Sequence, residues 1–415
     1  MRGSHVERRL SHEAAGQVKG SVVSAHVGNS AIDQPGEVAI VHDYLTQRGG
    51  AERVVLAMHR AFPAAPIYTS LYEPDLTFPE FRDVDVRPSY LNRSQLLRRR
   101  HRLAMPLLAH AFSQIKVDEK IVLCSSSGWA HGIHTTGTKL VYCHCPARWL
   151  YKGDDYFRKS QDARNEGRHP PISLAGIPTS FVFRNSVRAV APILRRWDRR
   201  AAASANAYYT NSLAVSDEIS SLYGIQPLVI PPPLLCDVDG PWEKPSTLAT
   251  DGYFLVVSRL LPYKNLDRIF GVFAERPDLE LVVVGTGPLG KTLQRSATPN
   301  IDLLGNVSDS ELRWLYGHAR ALIAPAFEDY GLTPLEAASF GKPTIALRKG
   351  GYLETVSEGT SGYFFENLDV SSVSGAIDKL SENPLNSDEI REHASRYSEE
   401  RFASTLRQQV SLHLD

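Results

Sequence analysis

"EVAIVHDYLTQRGGAERVVLAMHRAF", Glu37 to Phe62, decides the fold. Glu37–Leu45 is a short apolar run rich in β-branched residues, placed after a Pro-Gly breaker, and predicts a buried strand. "TQRGG" supplies a turn, and Ala51–Phe62 carries apolar residues at helical spacing. Strand, glycine turn and helix in that order open a βαβ unit. Outward from it, "KIVLCSSS", "TKLVYCHCP" and "AYYTNS" each end a short apolar run in polar residues. A second cycle begins at "GYFLVVSRL" (Gly252–Leu260) and continues through "LELVVVGTGP", "IDLLGNVSD", "ARALIAPAFED" and "KPTIALRKGG". Between the cycles lies "VIPPPLLCDVDGPWEKPSTLATDG", whose prolines mark an interdomain linker. The expectation is two doubly wound α/β domains with mainly parallel sheets. Ligands of such sheets sit at the carboxyl ends of the strands.

The expected boundaries are a disordered leader at 1–35, an N-terminal domain at 36–240 and a C-terminal domain at 241–385. A helical segment at 386–415 then has the option of crossing back to the N-terminal domain. At 415 residues the chain exceeds one ordinary core. No apolar run approaches the roughly 20 residues that span a bilayer. The start lacks the apolar stretch of a secretory signal, and four cysteines form neither a disulfide framework nor a zinc site. A cytoplasmic setting fits these features. The zero net charge hides an asymmetry: residues 36–240 carry 25 Lys/Arg against 19 Asp/Glu, and residues 241–415 carry 17 against 24. The N-terminal half is therefore suited to an anionic partner.

Several cofactor classes are disfavoured. "QRGGAE" lacks the Gly-x-Gly-x-x-Gly spacing of dinucleotide sites, which disfavours a nicotinamide or flavin cofactor. The "DVD" triplets at Asp83–Asp85 and Asp237–Asp239 offer carboxylate oxygens, but neither follows a nucleotide-binding strand, so no metal is expected.

The second cycle places Arg259 directly after its first strand and Lys264 just before a helix. Two cations at a sheet's carboxyl edge, beside a helix N-terminus, suit a diphosphate. "PAFEDYGLTPLEA" (Pro325–Ala337) adds Glu328 and Glu336 around a loop. Thr333 is suited to an N-cap, Pro334 to the first helical position and Glu336 to N3 of a capping box. The loop N–H groups around Tyr330, Gly331, Leu332 and Thr333 would then face phosphate oxygens. Glu328, repelled by a diphosphate, would accept from sugar hydroxyls, and Glu336 would hold ribose. Phosphate flanked by hydroxyls describes a nucleotide-sugar.

The Glu-x7-Glu spacing from Glu328 to Glu336, "SRLLPYKNLD", "VVVGTGP", "LLGNVSDSEL" and "GGYLETV" together resemble family 4 of the retaining GT-B glycosyltransferases. "VHDYLTQRGGAERVV" and "YCHCPARWLY" are similar to a branch rich in mannosyltransferases of surface polysaccharide synthesis. The resemblance implies a GT-B fold, two Rossmann-like domains facing across a cleft, and transfer of a hexose with retention and without a metal or cofactor. GDP-mannose is the donor favoured by branch. Arg259 and Lys264 would neutralise its diphosphate, Glu328 would touch the transferred sugar, and Glu336 the ribose. Gly285, Gly287 and the Asn306–Val307 backbone would frame the base. Gly49 and Gly50 would let the main chain approach phosphate, and His144 would sit at the reacting centre. Arg148 is a candidate for acceptor or phosphate contact, whereas nothing singles out His131 or His134.

The acceptor would be a glycan or a lipid-linked molecule, with no nucleic acid involved. "NRSQLLRRRHRLAMPLLAHAF" (Asn92–Phe112), with Arg93, Arg98, Arg99, Arg100 and Arg102, and "RRWDRR" (Arg195–Arg200) form basic runs suited to an anionic membrane surface. Two other functions share this scaffold, a sugar-nucleotide epimerase and a non-catalytic sugar-nucleotide-binding protein.

Overall fold

The structure, a computed structural model, describes residues 34–151, 173–174, 177–248 and 252–414. The predicted leader at 1–35 falls almost wholly outside the described residues.

The quoted stretch forms β1 (Val38–His42) and α1 (Gly50–Ala61). A parallel sheet is completed by β2 (Ile67–Thr69), β3 (Val86–Pro88), β4 (Ile121–Ser126), β5 (Thr138–Cys143), β6 (Ala207–Thr210) and β7 (Leu228–Val229), in the order β7-β6-β5-β4-β1-β2-β3. Every strand is buried on both faces where it is central, which is why the runs are continuously apolar instead of alternating. One face packs Ala39, Val41, Val122, Cys124, Val141 and Cys143; the other packs Val38, Ile40, Ile121, Leu123, Leu140 and Tyr142.

The second sheet contains β8 (Phe254–Val257), β9 (Leu281–Val284), β10 (Ile301–Gly305), β11 (Ala321–Ala324), β12 (Thr344–Leu347) and β13 (Gly362–Phe365). Its order is β10-β9-β8-β11-β12-β13, again parallel throughout. In both sheets the order reverses beside the first strand, β1 or β8, where crevices open in doubly wound folds.

The C-terminal segment divides. Ile390 and Ala394 of α9 (Ser387–Ser395) pack on Ala338 of α7 (Leu332–Ser339), in the second domain. The last helix, α10 (Glu399–Ser411), instead buries Phe402, Leu406 and Val410 in the core of the first sheet. Arg60 of α1 bonds Glu399 at 2.6 Å, and Arg407 donates to the Ala61 carbonyl at 2.8 Å. The core of the first sheet thus holds both β1 and α10, and the second domain is an excursion between them. A further tie joins the two: the Leu213 N–H, at the start of α5 (Leu213–Tyr223), donates to both carboxylate oxygens of Glu354 at 2.9 Å.

The long helix α4 spans Thr179–Ala203 in the first domain. The basic runs occupy α2 (Gln95–Arg99), the turn after it, and α4. No helix among the described residues is long and apolar enough to cross a membrane.

Candidate functional site

The cleft half built by the second sheet starts at β8. The strand runs out through Ser258 to Arg259, which is exposed and 3.4 Å from the Tyr263 hydroxyl. A single 3-10 turn at Pro262–Lys264 follows, closed by Asn265 at φ 57°. Left-handed backbone is tolerated by asparagine better than by most side-chain-bearing residues. The Asn265 amide here also donates to the Pro325 carbonyl at 2.9 Å. That bond ties the β8 loop to the β11 loop and sets Lys264 against Glu328, whose carboxylate it pairs with directly. Lys264 is the more buried of the two.

The β11 loop departs from the capping box expected of Thr333. The N-cap of α7 is Gly331 at φ 85°, which makes no side-chain cap, so Thr333 falls at N2, Pro334 at N3 and Glu336 beyond the first turn. Gly331 can enter the helix from a left-handed conformation that other residues resist, which starts it earlier than a threonine cap would. Tyr352 closes over the spot, since a Cβ on Gly331 would lie 2.6 Å from its ring. Glu336 is consequently no cap. It accepts from the Tyr316 hydroxyl at 2.9 Å and stands 4.0 Å from the Arg53 guanidinium on α1. Tyr330 is buried, and its hydroxyl has no hydrogen-bond partner among the described residues.

Gly285 and Gly287 have a local reason to be glycine. A Cβ on Gly285 would lie 1.9 Å from the Ser258 carbonyl oxygen, and one on Gly287 would lie 2.4 Å from that of Leu260. The β9 loop therefore lies against the backbone that carries Arg259. Asn306 is exposed at the end of β10, and Val307 packs partly into the core.

The first sheet supplies the facing half. Gly49 is the N-cap of α1, and a Cβ there would come 2.5 Å from Glu52 Oε2. Across the cleft, a Cβ on Gly50 would lie 3.7 Å from Leu332 Cδ1. Arg148 pairs with Asp329, joining the two halves. His144 follows β5 directly; its Nε2 is 2.7 Å from Ser125 Oγ, and its ring meets Tyr142 edge-on at 5.2 Å. Burial, together with the nearby His42, pushes the His144 pKa down to about 3, so the ring is neutral near pH 7.

Three participants were not singled out in the sequence: His42, Ser125 and Glu52. Parallel register pairs His42 with Ser125 and Ser125 with Tyr142. The two-residue period of a strand then brings His144 onto the same face. His42 Nδ1 is 3.1 Å from both the Ser125 carbonyl and its hydroxyl, while Nε2 is 4.0 Å from Glu52 Oε1. Burial opposes charge on His42, but Glu52, Asp43 and the Ser125 carbonyl outweigh it and raise its pKa. The "HDY" at a strand end and the acid after a Gly-Gly turn were the available signals. Asp43 has a structural task, accepting from the backbone of Ser127, Trp129 and Ala130 at 2.6–3.2 Å. His131 is likewise buried, 2.9 Å from Ser126 Oγ and 3.1 Å from Asp198.

No group of three His, Cys, Asp or Glu side chains among the described residues is placed to hold a metal. Asp237 of the second "DVD" instead pairs with Arg313 at 2.6 Å.

Two facing parallel α/β domains with a charged cleft between them define a GT-B fold. Solved structures agree: HepE of Anabaena in complex with UDP superposes with a TM-score of 0.62 at 15% identity, covering 90% of this chain and 99% of that one. The lipopolysaccharide outer core galactosyltransferase WaaB gives 0.58 at 15% identity, with the same coverages. Residues 242–401 match the family described as Glycosyl transferases group 1.

Among curated relatives, the alpha-1,3/1,6-mannosyltransferase ALG2 of Dictyostelium discoideum is 40% identical over 82 residues, 20% of this chain and 19% of its own. The GDP-mannose-dependent monoacylated alpha-(1-6)-phosphatidylinositol monomannoside mannosyltransferase of Corynebacterium glutamicum is 34% identical over 143 residues, 31% of this chain and 37% of its own. The O-antigen chain mannosyltransferase C of Escherichia coli is 29% identical, over 37% of this chain and 43% of its own. The matched segments thus span from a fifth to under half of these relatives.

Proposed function

We propose that this protein is a glycosyltransferase that moves mannose from GDP-mannose to a glycan or lipid-linked acceptor, with retention of configuration and without a metal. The observation that carries the reading is the Lys264–Glu328 pair, held at the mouth of α7 and tied in place by Asn265. Paired in the cleft, each neutralises the other. An arriving diphosphate competes for Lys264 and leaves Glu328 free to accept from sugar hydroxyls. Arg259, exposed beside it, and the α7 N–H groups at Gly331–Thr333 add to the stabilisation of a departing diphosphate. The mannosyl-transferring relatives support the sugar.

In the step itself, the bond from the sugar's anomeric carbon to the diphosphate breaks and one to the acceptor oxygen forms on the same face. The acceptor's proton passes to the departing phosphate. His144, neutral at the edge of the N-terminal half, orients the sugar without taking that proton.

The acceptor would reach the basic N-terminal domain from an anionic membrane surface on the cytoplasmic side. Exposed Leu96, Leu103 and Leu107 share one stretch there with Arg98, Arg99 and Arg100, and a recess of about 550 Å3 along α4 is lined by Arg195, Arg196, Arg199 and Arg200. Vesicles rich in anionic lipid should recruit the protein at low salt and release it at high salt.

The test of function is nucleotide release from a panel of GDP- and UDP-sugars, with and without acceptor. Acceptor-dependent GDP release from GDP-mannose is expected. Release of an epimerised sugar, or binding without turnover, would overturn the proposal.

A further inference from the structure

The polar chain behind His144 fixes more than its position. A carbonyl oxygen can only accept, so His42 Nδ1, 3.1 Å from the Ser125 carbonyl, must carry a proton. That same N–H faces Ser125 Oγ at 3.1 Å. The serine's own proton is then free for its other neighbour, His144 Nε2, at 2.7 Å. A nitrogen that accepts from a hydroxyl carries no proton, and a neutral imidazole has one proton to place.

We propose that Ser125 and His42 are positioning residues that hold His144 in its Nδ1–H tautomer, so that the edge it turns away from Ser125 is a hydrogen-bond donor. The inference rests on the placement of His144 beside the transferred sugar made above. It gives that placement a direction: His144 offers a proton to an oxygen of the sugar and cannot act as the base for the acceptor.

The chain is anchored at its far end. His42 Nε2 looks toward Glu52 Oε1 at 4.0 Å, and Glu52 is 1% exposed. Its second oxygen has no hydrogen-bond partner among the described residues and lies beneath Gly49, where any side chain would strike it. Burial opposes charge on His42, but the facing Glu52 carboxylate favours the imidazolium and raises its pKa, and Nδ1 remains the donor to the Ser125 carbonyl in either charge state. His144 is gripped at its backbone as well: its N–H donates to the Ser126 carbonyl at 2.9 Å, and its carbonyl accepts from Asn211 at 3.0 Å. The low His144 pKa agrees with a ring that stays neutral near pH 7.

Long-range proton–nitrogen correlation NMR on the full chain labelled with [15N]histidine reads the tautomer directly, with His144→Gln assigning the resonance. The expected spectrum shows His144 protonated at Nδ1 and bare at Nε2, unchanged between about pH 6 and pH 8. A proton on Nε2, or an imidazolium, would overturn the proposal. Ser125→Ala should mix the two tautomers and lower kcat for acceptor-dependent nucleotide release by roughly 10- to 100-fold. KM for the donor should move by less than about threefold, because the ring itself remains. Ser125→Thr, which keeps the hydroxyl, should restore the wild-type pattern. An unchanged spectrum in Ser125→Ala would contradict the account, and if that variant fails to fold the wild-type spectrum still decides. Full turnover by His144→Gln would overturn the catalytic placement of His144, while the tautomer result would stand by itself.

Discussion

The two halves of the cleft are prepared in opposite ways. The C-terminal half presents charge: Arg259 is exposed, and Lys264 and Glu328 meet at the mouth of α7. The N-terminal half meets the other through Arg53 and Arg148, but at His144 it presents a neutral ring, with His42 and Glu52 buried behind it. A diphosphate needs compensating charge in the free protein as well as in the transition state, so charge belongs where the donor binds. A group that acts on a sugar as charge develops is better left neutral and correctly oriented. Under the proposed function, binding and chemistry would fall to different domains, and substitutions should separate them.

The largest effect expected is on turnover. His144→Ala should lower kcat by about 100-fold or more while leaving GDP affinity within about twofold, as read by steady-state kinetics and calorimetric titration. An equal loss in both quantities would erase the distinction between the halves.

Gly331→Ala attacks the other half through its backbone. The residue would have to adopt φ 85° with its Cβ 2.6 Å from the Tyr352 ring. A loss of about 2 kcal/mol or more in stability is expected in denaturant unfolding. Donor affinity should fall with it, because the α7 N–H groups move.

Glu336→Gln should weaken GDP-mannose binding several-fold and shift Tm by under about 2 °C. The amide oxygen can still accept from the Tyr316 hydroxyl, while the charge facing Arg53 is lost.

A further comparison is the pH dependence of stability. His144, at about 3 folded against 6.5 unfolded, makes stability fall as pH drops from 6.5 toward 3. His42 has the opposite sign. Raised above 6.5 by the facing Glu52 and Asp43 against its burial, and set beside neutral His144, it contributes fully below pH 6.5 and loses that contribution as pH rises through its folded value. The difference in unfolding free energy between wild type and Glu52→Gln should therefore shrink above pH 6.5. A pH-independent difference would place the His42 charge elsewhere.

The same contrast governs what the sequence could reveal. The C-terminal half lies in contiguous motifs: Arg259 and Lys264 share one loop, and Glu328 through Leu332 share another, so each was recognisable where it stood. The Thr333 cap failed because Gly331 takes a left-handed conformation that the local pattern of a good capping residue followed by proline does not disclose. In the N-terminal half, His144 was found only through a resemblance. Its supports come from three distant segments that meet through the register of β1, β4 and β5, and a linear pattern carries no register. The two α/β cycles were plain from apolar runs and glycine turns. That α10 completes the first core was less so: its apolar stripe of Phe402, Leu406 and Val410 fits any sheet, and only packing chooses which.

Calorimetric titration of GDP into the wild-type protein and into Lys264→Ala tests most directly whether this cleft receives a nucleotide diphosphate through the Lys264–Glu328 pair. The account predicts measurable binding by the wild type and affinity lower by at least about tenfold in the variant, where Glu328 is left as an unpaired anion facing the phosphates. Equal affinity in the two proteins, or no binding by either, would contradict it.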